Sequence, residues 1–322
     1  MQAIQVSQPG GPEALTLVDV PTPTPKSNEA LVEIKASGVN FIDVYLREGR
    51  YPTQLPFING QEGSGIVTEV GAEVSEVKPG DRVAYSSVLG SYAQFAAVPA
   101  PRLVKIPDAL GFEQGAAAML QGMTAHYLLN SSYKLQKGET ALVHAAAGGV
   151  GLLLVQLAKR VGAHVIATVG TEEKAQLARD AGADECIIYT QSDFEAETKR
   201  LTDGKKVHVV YDGVGKATFD KDLEVLRPRG YLVLFGGSSG AVPPFDLIKL
   251  SHKGSLFLTR PTLTNYTATR EELEWRANDI LGLIATGELK IRIHKQYPFA
   301  DAAQAHRDLE GRKTTGKLLL LP

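Results

Sequence analysis

The sequence predicts an α/β fold, with a mostly β domain followed by a doubly wound, six-stranded parallel sheet. Three observations carry this. From Glu139 onward, apolar runs of strand length alternate with segments of helical periodicity. Across the first 110 residues the segments are instead short, alternating and broken by Gly and Pro. The chain, at 322 residues, is also long for one hydrophobic core.

In the first domain the strand candidates are Ala30–Ala36, Gly65–Val70, Arg82–Tyr85, Tyr92–Val98 and Leu103–Ile106. Turn signals such as Gly10-Gly11-Pro12, Pro21-Thr22-Pro23 and Pro79-Gly80-Asp81 separate such segments. Phe112–Leu129 turns helical and alanine-rich. The next strands are expected at Ala141–Ala145, His164–Val169, Glu185–Tyr189, Val207–Tyr211, Tyr231–Phe235 and Ser255–Thr259. Helices are expected between the first five, at Val150–Val161, Glu172–Ala181, Phe194–Leu201 and Ala217–Leu226, with Gly162 and Gly182 as stop signals. Apolar strands alternating with helices require a sheet covered on both faces, and right-handed crossovers make it doubly wound. An amphipathic helix, Arg270–Ile284, precedes Leu289–Pro322, whose short strand-like runs are expected to rejoin the first domain. The expected domains are therefore 1–122 with 265–322, and 123–264.

The composition, 43% hydrophobic and 22% charged, is that of a water-soluble globular protein. No apolar run approaches the roughly 18–20 residues of a membrane span, and no secretory signal is visible. Cys186 stands alone, which excludes an internal disulfide and a multi-cysteine zinc site and suits a reducing cytoplasm. It is expected to be a core residue of the third strand of the parallel sheet. Net charge is −2, and the longest basic clusters, Lys205-Lys206 and Arg312-Lys313, are too short for a nucleic-acid stripe. Neither a membrane nor a nucleic-acid partner is expected.

The segment Ala145–Gly151 lies between a strand-like run and a helix with apolar residues at Leu153, Leu154, Leu157 and Val161. A glycine-rich turn there aims backbone N–H groups and the positive end of a helix at one spot, which suits a pyrophosphate. Ala146 stands where the first glycine of G-x-G-x-x-G would, and alone the pattern reads equally as a tight packing turn. The second strand ends at Val169, without the carboxylate that takes a ribose 2′-hydroxyl in NAD sites. A carboxylate would repel a 2′-phosphate, so its absence favours NADPH. Gly170 and Thr171 leave room and donors, and Lys174 brings a charge-assisted hydrogen bond of about 1.5–3 kcal/mol. Lys174 by itself reads as an ordinary exposed lysine. Glu172 and Glu173 argue the other way, although a first helical turn also suits their charge.

Six segments then extend the pattern over essentially the whole chain: Gly38–Tyr45, Gly60–Gly65, Lys78–Val83, His144–Gly151, Tyr211–Gly215 and Gly254–Pro261. With these the chain resembles the zinc-independent quinone oxidoreductases (zeta-crystallin-like) of the medium-chain dehydrogenase/reductase superfamily. The resemblance implies a GroES-like catalytic domain, a Rossmann domain and a cleft for nicotinamide and acceptor. Zinc-dependent members carry cysteine, histidine and cysteine at positions that here hold Asn40, Gln61 and Gln121. Neutral amides are poor zinc ligands, the four-cysteine loop is missing, and none of the seven histidines pairs with another at ligand spacing. No metal is expected. Without a Lewis acid, an electron-poor acceptor such as a quinone or activated alkene replaces an alcohol as substrate.

The resemblance places Asn40, Asp43, Tyr45, Tyr51 and Gln61 around the acceptor. Amide and phenol groups there would bond a quinone oxygen as charge develops, and the tyrosines read equally as proton donors or as pocket lining. For NADPH it implicates Asn40, Thr124, Tyr127, Gly148, Gly149, Val150 and Gly151. It adds Gly170, Thr171, Lys174, Tyr189, Val214, Phe235, Gly236, Ser238 and Arg312. Tyr189 would lie near the adenosine end, and Arg312 would reach the 2′-phosphate from the tail. The expected reaction is reduction of quinones by hydride or electron transfer from NADPH. Two alternatives stand beside it: a reductase of α,β-unsaturated ketones or enoyl thioesters, and a non-catalytic cofactor-binding or RNA-associated protein, against which the balanced charge argues. A homodimer joined through Ser255–Thr259 is expected, since an unpaired apolar edge strand invites aggregation.

Overall fold

The computed structural model describes residues 1–322, which form two units, Met1–Met123 with Tyr266–Pro322, and Thr124–Asn265. The first unit opens with β1 (Gln2–Val6), β2 (Thr16–Asp19), β3 (Glu29–Val39), α1 (Phe41–Arg47), β4 (Phe57–Ile58) and β5 (Glu62–Val70). It continues through β6 (Arg82–Ser86), β7 (Phe95–Pro99), β8 (Val104–Lys105) and α2 (Phe112–Tyr127). β3 is its spine, pairing with β5 and β7, and its Ala30, Val32 and Ile34 pack with Val67, Val83, Tyr85, Val98 and Leu103. β5 crosses β3 so closely at Gly65 that a methyl group there would stand 1.9 Å from the Glu33 carbonyl oxygen. Two register irregularities in the β3–β5 pairing accompany this crossing.

The second unit runs β9 (Thr140–Val143), α3 (Gly149–Val161), β10 (His164–Val169), α4 (Glu172–Asp180), β11 (Glu185–Ile188) and α5 (Phe194–Leu201). It continues with β12 (Val207–Asp212), α6 (Phe219–Val225), β13 (Leu226–Leu234), α7 (Ile248–His252), β14 (Phe257–Thr259) and the start of α8 (Leu263–Tyr266). The strand order is β11-β10-β9-β12-β13-β14, parallel throughout, and it reverses beside β9. Such a reversal opens a crevice at the carboxyl ends of the strands. Leu142, Ile166, Ile187, Val210 and Leu232 form the sheet's core with Phe194, Phe219 and Leu223 from the covering helices.

The chain then returns to the first unit through α9 (Arg270–Ala285), β15 (Ile293–Pro298), α10 (Ala302–Glu310) and β16 (Lys317–Leu321). β16 pairs with β3 and β15, so the tail completes the larger sheet.

Several details depart from the sequence reading. Four helices, α1, α7, α8 and α10, were not foreseen; the last buries Ala302, Ala305 and His306 on one face. Helix α2 does not run on as α-helix to Leu129 but widens into a π-helical turn at Leu128–Ser132. β13 begins at Leu226 rather than Tyr231, and β14 only at Phe257, because Ser255 sits at a left-handed φ of 56°. Cys186 is half-buried on β11, at the edge of the sheet, rather than a core residue, and its thiol faces the Ala175 carbonyl at 3.5 Å.

Candidate active site

In the first unit, the turn between β3 and α1 starts a buried polar network. Asn40 caps α1: its N–H donates to Asp43 Oδ2 at 2.8 Å, half of a capping box. The Asn40 amide is oriented without ambiguity. Its Oδ1 accepts from Lys317 Nζ at 2.7 Å, and its Nδ2 donates to Glu62 Oε2 at 2.8 Å and, at 3.3 Å, to the Gly38 carbonyl. Lysine can only donate and a carboxylate only accept, so the amide cannot be flipped. Lys317 also donates to Glu62 Oε2, and Glu62 Oε1 accepts the Leu120 N–H of α2 at 2.5 Å. Asn40, Glu62 and Lys317 are all buried.

A second chain leaves Asp43. Tyr92 donates its hydroxyl to Asp43 Oδ2 at 3.0 Å and lies 3.2 Å from His306 Nε2. Arg47 Nη1 donates to His306 Nδ1 at 3.0 Å and to Glu310 at 2.7 Å. With Nδ1 accepting from a guanidinium, the imidazole proton sits on Nε2, and every bond runs in one direction from Arg47 to Asp43. Burial pushes the Asp43 carboxyl up to about 7. Burial, with the Arg47 charge beside it, pushes His306 down to about 3.

Of the residues expected around an acceptor, Asn40 and Asp43 thus have their polar groups turned into the protein. The Asn40 amide, expected to bond an acceptor oxygen, is held here by Lys317, Glu62 and the Gly38 carbonyl. Tyr45 is buried on α1, with its ring 6.2 Å from that of Tyr51 and the Arg50 guanidinium over its face at 5.0 Å. Tyr51 is 45% exposed, and Gln61 is half-buried with no hydrogen bond to its side chain. Glu62 and Lys317 were missed. Glu62 lay unremarked within Gly60–Gly65, and Lys317 is a single basic residue heading four leucines.

In the second unit the loops gather at the carboxyl end of the sheet. Gly148 caps α3 without a side chain, and the N–H groups of Gly149, Val150 and Gly151 find no acceptor in the protein. Thirteen residues of aligned peptide dipoles stand behind them. Gly151 lets the helix approach the turn, since a methyl group there would lie 2.4 Å from the Ala145 carbonyl oxygen. The left-handed residue of this turn is Ala145, at φ 49°; Ala146, in the first-glycine position, is fully buried. Open donors, a bare glycine cap and a positive helix end fit a diphosphate.

Beyond β10, the Thr171 hydroxyl caps α4 by accepting the Lys174 N–H at 3.3 Å. Tyr189 is 47% exposed and covers Gly170, where a methyl group would stand 2.8 Å from its hydroxyl. The loops after β12 and β13 clasp one another. The Ser238 N–H donates to the Gly213 carbonyl at 3.2 Å, the Ser239 hydroxyl to the Val214 carbonyl at 2.7 Å, and Phe235 packs over Gly213. Gly236 lies so close that a methyl group would meet the Gly213 oxygen at 2.5 Å. Thr124 and Tyr127 are buried on α2, whereas Arg312 belongs to the first unit, at φ 55° between α10 and β16.

Comparison with known proteins matches residues 26–108 to the alcohol dehydrogenase GroES-like domain and residues 149–277 to the zinc-binding dehydrogenase domain. The chain is 48% identical over 321 residues to a quinone oxidoreductase of Pseudomonas aeruginosa, covering 99% of both. The chain belongs to the quinone oxidoreductase family of medium-chain dehydrogenase/reductases. Its fold accordingly combines a GroES-like domain with a Rossmann-type parallel sheet. The crystal structure of Escherichia coli quinone oxidoreductase complexed with NADPH shares 46% identity and superimposes with a TM-score of 0.98, with complete coverage of both chains. A 2-haloacrylate reductase of Burkholderia sp. is 38% identical, over 100% of this chain and 99% of that one.

Proposed function

We propose that this quinone oxidoreductase family member reduces quinones with NADPH, by hydride or electron transfer and without a metal. The observation that carries the reading is the pair of phosphate-ready loops: three open N–H donors at the start of α3, and a β10 that ends in Val169 rather than an acid. Lys174 then supplies the charge for the 2′-phosphate. NADPH supplies the reducing equivalents when bound. Gly148–Gly151 hold its diphosphate, while Gly170 and Thr171 leave space at the adenosine ribose. Thr124, Tyr127, Val214, Phe235, Gly236 and Ser238 shape the remainder of the cofactor site.

At the acceptor, Gln61 and the Tyr51 hydroxyl donate to the oxygen on which charge develops. Tyr45 lines the pocket, and Asn40 and Asp43 fix its wall rather than touch the substrate. The metal-free reading rests on the donor set. Amides occupy Asn40, Gln61 and Gln121, and nowhere do three His, Cys, Asp or Glu side chains gather as a metal site.

The test is the loss of reduced-nicotinamide absorbance with 1,4-benzoquinone or phenanthrenequinone as acceptor. NADPH consumption supports the reading, and none with any quinone or enone contradicts it. The likeness to a 2-haloacrylate reductase favours a second reading, reduction of activated alkenes in the same pocket. Comparing kcat/KM for quinones and enones separates the two.

The exposed edge of β14 supports a homodimer. Phe257 is 48% exposed there and stacks on Tyr231 at 4.4 Å, leaving an apolar strand edge that a second copy would cover. A monomeric mass by light scattering counts against it. No helix is long and apolar enough to cross a membrane. The lone cysteine suits a reducing, cytoplasmic location.

A further inference from the structure

A row of four buried polar side chains runs beneath the loops of the second unit, and the reading above uses none of them. Thr168 is the last residue but one of β10, His144 follows β9, Asp212 closes β12, and Asp222 stands on α6. Their exposures are 1%, 3%, 0% and 0%. β10, β9 and β12 are neighbours in the sheet, so the row crosses its carboxyl end at the point where the strand order reverses. His144 Nδ1 lies 2.7 Å from the Thr168 hydroxyl, and Nε2 lies 2.7 Å from Asp222 Oδ1. The edge of the Phe194 ring closes the apolar side of the imidazole, with centroids 4.8 Å apart. Asp212, the other carboxylate bearing on His144, accepts the N–H groups of Val214 and Gly215 and, at 2.8 Å, the Thr218 hydroxyl.

Each strand residue in the row leads into a different loop. His144 immediately precedes the Ala145–Gly151 turn, Asp212 immediately precedes Gly213–Gly215, and Thr168 lies two residues before Gly170. The row is also bonded to the turn's backbone. The Ala146 N–H donates to the Thr168 carbonyl at 3.2 Å, and the His144 N–H to the Tyr211 carbonyl at 3.1 Å. Between those two anchors sits Ala145, at a left-handed φ that alanine does not favour. Strained backbone of this kind persists only where its surroundings over-determine it.

We propose that His144 and Asp222 are positioning residues for the dinucleotide, holding the Ala145–Gly151 turn in the strained form that keeps its N–H donors convergent. The inference rests on the NADPH reading and adds residues that touch no ligand. Asp222 fixes the imidazole proton on Nε2, leaving Nδ1 to accept from Thr168, and the bridge thereby locks β9 to β10 where two of the loops begin. Cutting it lets the turn relax and the donors diverge.

The experiment compares NADPH affinity, from protein fluorescence, in the full chain and in Asp222→Ala, Asp222→Asn and Thr168→Val. Circular dichroism and a cooperative urea transition establish that each is folded under the titration conditions. Asp222→Ala is expected to weaken NADPH by about tenfold or more, the loss of one hydrogen bond to a charged group. Asp222→Asn, whose amide oxygen still accepts from Nε2–H, is expected to stay within about threefold of the unaltered chain. A folded Asp222→Ala protein with unaltered affinity overturns the proposal, as does an Asn variant as impaired as the Ala variant. Should Asp222→Ala not fold, Thr168→Val decides: it removes one hydroxyl and keeps the carbonyl, and unaltered affinity there overturns the proposal equally. If the unaltered chain binds no NADPH, the functional reading fails and the proposal with it. A failure confined to the variants leaves that reading intact.

Discussion

Lys317 and Glu62 form an ion pair that no solvent reaches, joining β16 to the start of β5 across 255 residues of sequence. Glycine is required opposite it. A methyl group on Gly38 would stand 2.1 Å from Glu62 Oε2 and 2.8 Å from Lys317 Cε. Removing one partner of such a pair leaves a buried charge uncompensated, which costs about 3–5 kcal/mol, whereas neutralising both is far milder. Lys317→Met is therefore expected to lose about that much stability, and Lys317→Met with Glu62→Gln to recover most of it. Urea unfolding of both variants measures this; a double variant no better than the single contradicts the account.

Gly38→Ala tests the same packing from the backbone side. It is expected to destabilise by about 1–3 kcal/mol, the usual cost of overpacking a filled interior. An unchanged urea midpoint would mean that the pair moves aside without cost.

Asp43 and His306 give opposite responses to pH. The folded chain keeps on Asp43, at about 7, a proton that the ordinary 3.8 of an unfolded aspartate would release, so this group's contribution to stability falls as pH rises from 4 to 7. The folded chain refuses on His306, at about 3, a proton that the unfolded chain binds below 6.5, so that contribution falls as pH drops from 6.5 towards 3. Each slope is at most about 1.4 kcal/mol per pH unit. Relative to the unaltered chain, Asp43→Asn is expected to become progressively less stable as pH is lowered from 7 to 4. His306→Gln is expected to regain part of its deficit below pH 6.5. Urea midpoints across this range check both signs, and deficits that stay constant with pH contradict them.

Gly151→Val places a branched side chain where even a methyl group meets Ala145 O at 2.4 Å. Either the turn or the helix must shift, and the N–H groups of Gly149–Gly151 shift with it. NADPH affinity is expected to fall by at least about a hundredfold, corresponding to the loss of two hydrogen bonds to a phosphate. A titration showing affinity close to that of the unaltered chain removes this turn from the cofactor site.

The parallel sheet was legible because its strands are continuous apolar runs, the signature of strands buried on both faces. Burial across β10, from Val165 to Val169, is an example. α1 was not legible: Phe41–Arg47 holds only seven residues, and its cap is visible only once Asn40 and Asp43 are seen bonded. The early start of β13 was hidden by Arg229, which at φ 60° interrupts the periodicity between Leu226 and Tyr231. At the site, the glycines of Ala145–Gly151 could be read locally, because a turn's chemistry lies within the turn. The setting of Asn40 could not. Its partners Glu62 and Lys317 lie 22 and 277 residues away, and an asparagine facing a ligand is the same letter as one facing a buried lysine.

The most direct test of the central claim is kcat/KM for NADPH and for NADH, with 1,4-benzoquinone as acceptor and a metal chelator present, in the unaltered chain and in Lys174→Ala. The unaltered chain is expected to turn over with NADPH and to prefer it to NADH. Lys174→Ala is expected to lose about tenfold or more of that preference, one charge-assisted bond to the 2′-phosphate, through the KM for NADPH alone. Equal or better use of NADH by the unaltered chain, or activity abolished by the chelator, would contradict the account.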